Sequence, residues 1–348
     1  MEDPINDRIP GCAVVAAMTL FAALWAPLPA EAQTRASASG SSDGTRGTWT
    51  APRTPWGDPD FQGTWTTDET IGVPIQRPPA LGNKLYLTDE DLAEQAKQRA
   101  GRAGGPGPSV NPPDHWGENA SGPVRQTSFV VEPADGRIPA VTSEGQKRAA
   151  ARDTGSFGGG PFNRPEDFTN FDRCISRGVV GSMLPRPYGN GLDIVQGPGY
   201  IGISYEMIHE PRIIPLGNQP RLGAAIKQYM GDARGRWDGA TLVVETTNIT
   251  DQMSIGFNGN GLRHSDQMRL VERFTRVNAT TIEWEVTIED PKTYTKPFKL
   301  ALPIVSRPGY QVFEYACHEG NYGLPNILSG ARATERGDKP SASPGSQP

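Results

Sequence analysis

The sequence has little cysteine, with three residues in a chain of 348. Several familiar motifs are missing altogether: C-x-x-C, H-E-x-x-H, G-x-S-x-G, a Walker phosphate loop and a dinucleotide fingerprint after a predicted strand. Their absence argues against thioredoxin-like redox chemistry, a helical zinc protease site, an α/β-hydrolase nucleophile and a nucleotide phosphate cradle. No local motif therefore names a reaction.

An excess of positive charge is also missing. The 34 basic and 39 acidic side chains leave a net charge of -5. A nucleic-acid-binding surface needs a clustered basic footprint, and this balance provides none. We therefore expect no nucleic-acid partner.

Long apolar runs are confined to the first residues. Positions 12–25 are uncharged and largely apolar, and Ala30-Glu31-Ala32 has the small-x-small form of a cleavage site. This pattern predicts a signal peptide over 1–32; an uncleaved anchor is the alternative, although a spanning helix needs about 20 apolar residues. We expect a periplasmic or secreted protein with no membrane partner after cleavage.

Removal of the signal peptide would leave two cysteines, Cys174 and Cys317. An even pair in an exported chain predicts one disulfide bond, because oxidising compartments favour its formation. Two buried free thiols are the alternative.

Glycine and proline are concentrated before residue 166, which divides the chain. Residues 33–55 are rich in Ser, Thr and Gly and predict a disordered linker. Residues 56–165 predict an irregular arm with one helix near 88–100, where Thr88 and Asp91 resemble a capping box. A β-barrel domain is expected over 166–333 and a disordered tail over 334–348.

Strand signals follow one another closely in the second half of the chain. They are separated by turn residues and are not interrupted by helical periodicity. Residues 281–289 alternate well, with Ile282, Trp284, Val286 and Ile288 on one face. The predicted fold is mainly β, an antiparallel meander forming a lipocalin-like up-and-down barrel, with a β-sandwich as the alternative. The predicted strands are 192–196, 200–209, 212–216, 241–248, 267–277, 281–290, 296–304 and 311–316.

Glu272 breaks the alternation, since it lies on the same face as Met268, Leu270 and Phe274. A carboxylate on an apolar face predicts either an ion pair or a site residue, and an arginine partner is the commoner answer. Several arginines are close in sequence.

Two polar clusters are candidates for a site. If 200–209 is extended, Tyr205 and His209 share one face, with Glu206 on the other. The second cluster places His318 and Glu319 directly after Cys317, in a loop that a disulfide would hold rigid. Histidine with tyrosine can supply a base and an acid for proton transfer, and Glu206 or Glu319 could orient an imidazole.

Metal binding is a weaker alternative. His209 and His318 could join His264, with a carboxylate, but no local spacing supports such a site. His264 itself follows a turn-like stretch and is expected in a surface loop. We expect no cofactor.

Several motifs resemble those of a large set of exported proteins from soil bacteria. They include D-R-C-I-S-R-G at 172–178, Y-E-M-I-H-E-P-R-I-I-P-L at 205–216 and E-Y-A-C-H-E-G-N-Y at 314–322. The match covers most of 56–333. The resemblance implies export and the domain boundaries, and it supplies no reaction.

Two functions follow from these patterns. The first is an exported barrel enzyme that uses His209, His318 and Tyr205 for acid–base chemistry on an organic small molecule or sugar, as a lyase, isomerase or hydrolase. The second is a non-catalytic, lipocalin-like protein that binds a small molecule. A cell-envelope structural protein is a third, weaker alternative.

Overall fold

The computed structural model describes residues 49–100, 118–150, 162–256 and 262–337. The predicted signal peptide, most of the linker over 33–55 and most of the tail over 334–348 lie outside the described residues. Within the described ranges, no helix combines the length and apolarity needed to cross a bilayer.

The described residues form ten strands and four α-helices. Three of the helices lie between β1 and β3, and the fourth follows β10. The strands are β1 Gly63–Thr66, β2 Val130–Glu132, β3 Gly191–Gly197, β4 Tyr200–Tyr205, β5 Pro211–Pro215, β6 Asp232–Asp238, β7 Thr241–Thr247, β8 Arg269–Asn278, β9 Thr281–Glu289 and β10 Phe298–Ser306. The helices are α1 Asp89–Ala100, α2 Ser143–Ala150, α3 Gly178–Met183 and α4 Gly323–Glu335.

The strands form one antiparallel sheet that curls into a nearly closed barrel. Its order is β5-β4-β3-β1-β10-β9-β8-β7-β6, with β2 paired to β10 outside this path. A parallel bridge between Leu216 and Gly235, next to the Gly217 N–H that donates to the Gly235 carbonyl at 3.1 Å, brings the two ends together. The predicted antiparallel barrel is confirmed.

The first strand of the barrel comes from the arm. β1 lies between β3 and β10, where Trp65 pairs with Leu192 on one side and Ser306 on the other. The sequence placed the whole barrel at 166–333, so this strand differs from the expected organisation. A four-residue strand among turn residues is too short for alternation to reveal it.

The interior of the barrel is filled by side chains. In β9 the four predicted inward residues are fully buried, which confirms that alternation. Their neighbours from the other strands are equally buried and form one continuous core. The barrel interior is therefore a packed core, whereas a lipocalin-like carrier has a ligand cavity there.

A buried ion pair crosses this core. Arg212 of β5 donates to Glu272 of β8 with Nη1 to Oε1 at 2.9 Å, and it also contacts the second carboxylate oxygen. Thr246 and Trp284 complete the hydrogen bonding, at 2.8 Å and 3.1 Å. Glu272 is therefore an ion-pair residue, and its partner comes from a distant strand, because strand pairing and not sequence proximity decides which side chains meet inside a barrel.

The helix near 88–100 begins with the expected cap. The Thr88 N–H donates to the Asp91 carboxylate at 2.8 Å, and the Asp91 N–H donates to the Thr88 hydroxyl at 3.3 Å. This reciprocal pair satisfies two amide groups that helix geometry leaves open.

Two predicted strands differ from the structure. β4 ends at Tyr205, and the chain then turns through Ile208 and His209, whose φ angles are +73° and +61°. Residues 311–316 follow β10 but form no strand. Both stretches alternate in hydrophobicity, yet they contact each other through Glu206 and His209 and do not continue a strand ladder.

Candidate functional site

The chain after β10 leaves the barrel and forms a C-terminal segment, residues 310–335, that ends in α4. No residue of α4 is buried. Hydrophobic burial therefore contributes little to the docking of this helix, and the segment depends on specific contacts with two other parts of the chain. One is the turn over 206–210, and the other is the loop that holds Cys174.

Glu206 holds the beginning of the C-terminal segment. The Tyr310 hydroxyl donates to its carboxylate, at 2.8 Å from Oε1 and 2.9 Å from Oε2. The Gly191 N–H donates to Oε2 at 3.2 Å. Glycine at position 191 leaves room for this carboxylate, since a Cβ there would lie 2.4 Å from the same oxygen and would displace it. The bonded carboxylate serves as an anchor for the segment.

His209 holds the segment farther along. The Tyr315 N–H donates to its ring, 3.0 Å from Nε2 and 3.2 Å from Nδ1, so one ring nitrogen acts as the acceptor. The imidazole is exposed. The left-handed backbone at this residue turns its side chain toward the C-terminal segment and away from the face that carries Tyr205.

A disulfide bond between Cys174 and Cys317 ties the segment covalently. The predicted bond is thus confirmed, with the two Cα atoms 5.7 Å apart. Close to it, Asn321 donates to the Asp172 carbonyl at 2.6 Å. The loop at 168–174 and the C-terminal segment therefore face each other across the bridge.

Between these two parts of the chain lies a cavity of about 550 Å³. We call it the disulfide cavity. Four aromatic side chains line it, together with both cysteines and two aliphatic residues of α4. The aromatic residues are Phe168, Phe171, Tyr188 and Tyr315, and the aliphatic ones are Leu324 and Ile327.

The aromatic lining is held in ring-to-ring contacts. Tyr188 and Tyr315 have centroids 6.4 Å apart with an interplanar angle of 16°. Phe168 stacks on Phe162 at 5.1 Å. Burial, followed by the hydrogen bond to Tyr188, raises the pKa of Tyr315. Its hydroxyl is thereby kept protonated, and the lining of the cavity is preformed and largely apolar.

Charges of both signs lie around the cavity. Asp172 and Glu314 are the charged residues that line it. Arg177 and Arg186 lie near the two tyrosines without lining the cavity. Arg177 is 2% exposed, and burial, with the charge of Arg186, lowers its pKa to about 9. Its Nη2 donates to the Leu184 carbonyl at 2.8 Å.

The structure brings some of the predicted site residues together and separates others. Glu206 and His209 both contact the C-terminal segment that carries Cys317. His318 and Glu319 belong to the same segment but are exposed and do not line the disulfide cavity. The expected pairing of Tyr205 with His209 on one strand face is wrong, because the strand ends before the histidine.

Tyr205 is 3% exposed and lies at the end of the barrel core. Burial raises the pKa of its hydroxyl to about 12, partly offset by the charge and hydrogen bonding of the nearby Arg212 guanidinium. A phenol in this environment stays protonated. It lies on the barrel side of the turn, away from the residues lining the disulfide cavity.

His264 is buried, at 1% exposure, and the expected surface position is wrong. Its Nδ1 lies 3.0 Å from the Ser265 carbonyl, and burial lowers its pKa. Asp290 accepts from both the N–H and the hydroxyl of Ser265, which draws this stretch against the barrel. Among the described residues, no group of three or more His, Cys, Asp or Glu side chains is placed to hold a metal ion.

The aromatic lining was missed in the sequence because its residues come from loops. A signal was nonetheless present: Phe171 precedes Cys174 by three positions, and Tyr315 precedes Cys317 by two. A disulfide that joins two aromatic-rich stretches predicts that their rings lie close together.

Comparisons with known proteins add little to this geometry. No family model and no curated protein match the sequence. One solved structure that matches is a secretary abundant heat soluble (SAHS) protein from Ramazzottius varieornatus, with 15% identity over 40% of this chain and 87% of that chain. The TM-score is 0.22, so the likeness carries no argument about function.

Proposed function

We propose that this protein binds an organic small molecule in the disulfide cavity and does not transform it. The observation that carries the proposal is the cavity itself, about 550 Å³ lined by four aromatic side chains. Ligand sites are typically concave, largely apolar and preformed, with volumes of about 300–1,000 Å³. The ligand would therefore lie outside the barrel, unlike the cargo of a lipocalin.

Acid–base catalysis by the predicted residues has less support. The Glu206 carboxylate is engaged by Tyr310, and the His209 ring accepts the Tyr315 N–H. A general base needs a free nitrogen or oxygen within reach of the substrate proton. A catalytic role for His209 or His318 stays a prediction, and the reaction would take place at the surface beside the cavity.

We further propose that the protein works outside the cytoplasm, in the periplasm or after secretion. The support is the disulfide bond, because such bonds persist mainly in oxidising compartments. The predicted signal peptide agrees with this proposal.

Binding can be tested with N-phenyl-1-naphthylamine, a neutral aromatic probe whose fluorescence rises in apolar sites. We expect saturable binding to the protein and a loss of about tenfold or more in affinity in Tyr315→Ala, since an aromatic wall contributes more than 1 kcal/mol. Tyr322→Ala is the matched control, because Tyr322 lies on the same segment, is 72% exposed and does not line the cavity.

Two results would contradict the proposal. One is the absence of saturable binding to the wild-type protein, and the other is an equal loss of affinity in both variants. Circular dichroism of each variant would show that the fold is intact.

A further inference from the structure

The charged groups at the disulfide cavity restrict the kind of ligand it can hold. Both charged residues in its lining, Asp172 and Glu314, are acidic, and they stand among four aromatic rings. Aromatic faces carry negative electrostatic potential, which attracts cations, and carboxylates add to it. We infer that the disulfide cavity takes an organic cation, such as a quaternary or protonated amine with an apolar body.

This inference rests on the proposed binding function and adds the charge of the ligand to it. The Asp172 carboxylate is fixed in place, because Oδ2 accepts the Thr169 hydroxyl at 2.6 Å and the Thr169 N–H at 3.2 Å. These neutral donors leave its negative charge in place. Glu314 is exposed, so its carboxylate can move to meet a ligand.

Arg177 and Arg186 oppose the inference, since guanidinium groups repel a cation. Neither lines the cavity, whereas both acidic residues, Tyr188 and Tyr315 do. Coulomb energy falls with distance, so the two carboxylates in the lining act on a ligand at shorter range than the arginines behind it. An anionic probe tests whether the arginines dominate instead.

Three probes of similar size separate these effects: phenyltrimethylammonium, its neutral isostere tert-butylbenzene and benzenesulfonate. Each is titrated against protein preloaded with N-phenyl-1-naphthylamine at a fixed salt concentration. We expect the cation to displace the dye at a concentration about tenfold lower than the neutral isostere, in line with a desolvated cation–aromatic contact. Benzenesulfonate should be the weakest of the three.

Glu314→Gln should remove most of the advantage of the cation over its isostere, with each displacement compared at the dye affinity measured for that same variant. Glu319→Gln is the matched control, since Glu319 is exposed, lies five residues along the same segment and does not line the cavity. Equal displacement by the cation and the neutral isostere, or stronger displacement by benzenesulfonate, would overturn the inference and leave the cavity as a binding site. Failure of the dye itself to bind would overturn the proposed function instead.

Discussion

Loss of the Cys174–Cys317 bond should release the C-terminal segment from the barrel. The perturbation is Cys317→Ser, or reduction of the wild-type protein with dithiothreitol. Cys174 precedes β3 and Cys317 follows β10, so the bond closes a loop of 143 positions that contains eight of the ten strands in the described chain. In the chain-entropy model, such a loop contributes up to about 5 kcal/mol to the free energy of unfolding.

The contacts that remain are few. They include the Tyr310 hydroxyl on Glu206, the Tyr315 N–H on His209 and the Asn321 amide on the Asp172 carbonyl. Arg332 of α4 also donates to the carbonyl and the side-chain oxygen of Asn163, both at 3.1 Å. Each hydrogen bond contributes about 1 kcal/mol, whereas ordering one residue costs about 1–2 kcal/mol of conformational entropy. With no buried residue in α4, these contacts do not offset the cost of ordering that helix.

Hydrogen exchange gives the measurement. Amides of α4 should exchange much faster after reduction, while the amides of β8 and β9 keep their protection. Cys174→Ser serves as the control, because it should give the same pattern as Cys317→Ser. If α4 stays protected in both variants although the free energy of unfolding falls, the segment is held without the disulfide and the reasoning fails.

Three further predictions concern the barrel and its polar groups. Glu118 is half-buried beside Asp68 and Arg307, and burial, followed by Asp68, raises its pKa to about 7. A carboxyl whose pKa is raised on folding favours the folded state at low pH, so stability should fall between pH 4.5 and 7, and Glu118→Gln should flatten this fall in urea unfolding curves. Gly191→Ala should lower the free energy of unfolding, measured in urea, by about 1–3 kcal/mol, because the added Cβ would contact the Glu206 carboxylate. In Gly122→Ala the added Cβ would have no atom within 4 Å, so the free energy of unfolding should change little. Arg212→Met should lower the free energy of unfolding by about 3–5 kcal/mol, because it leaves Glu272 buried and unpaired. Adding Glu272→Leu should restore much of that stability. An equal or larger loss in the double variant would contradict this account.

The barrel could be predicted because its strands obey a period of two. In β9 every second residue is buried, and that alternation is visible in the sequence without knowledge of the partners. The disulfide followed from cysteine count and compartment. The helix cap at Thr88 and Asp91 involves residues three positions apart, so it could also be predicted from the sequence.

The site was harder to predict, because polar residues whose spacing fits a strand do not always lie in one. Tyr205 and His209 have strand spacing, yet a left-handed turn separates them. His264 was assigned to the surface, but tertiary contacts through Ser265 and Asp290 bury it. The aromatic lining joins loops far apart in the chain, and only the disulfide linked them in advance.

The position of β1 has a consequence for how the chain reaches its final shape. The earliest strand of the described chain is flanked by β3 and by the last strand, β10, so its pairing with β10 joins Trp65 to Ser306, near the two ends of the barrel sequence. Contacts this far apart in sequence slow folding. A protein shortened past Thr66 would keep the edge of β3 bare, and the edge of β10 would be covered only where β2 pairs with it. Such open edges are prone to pair with other molecules.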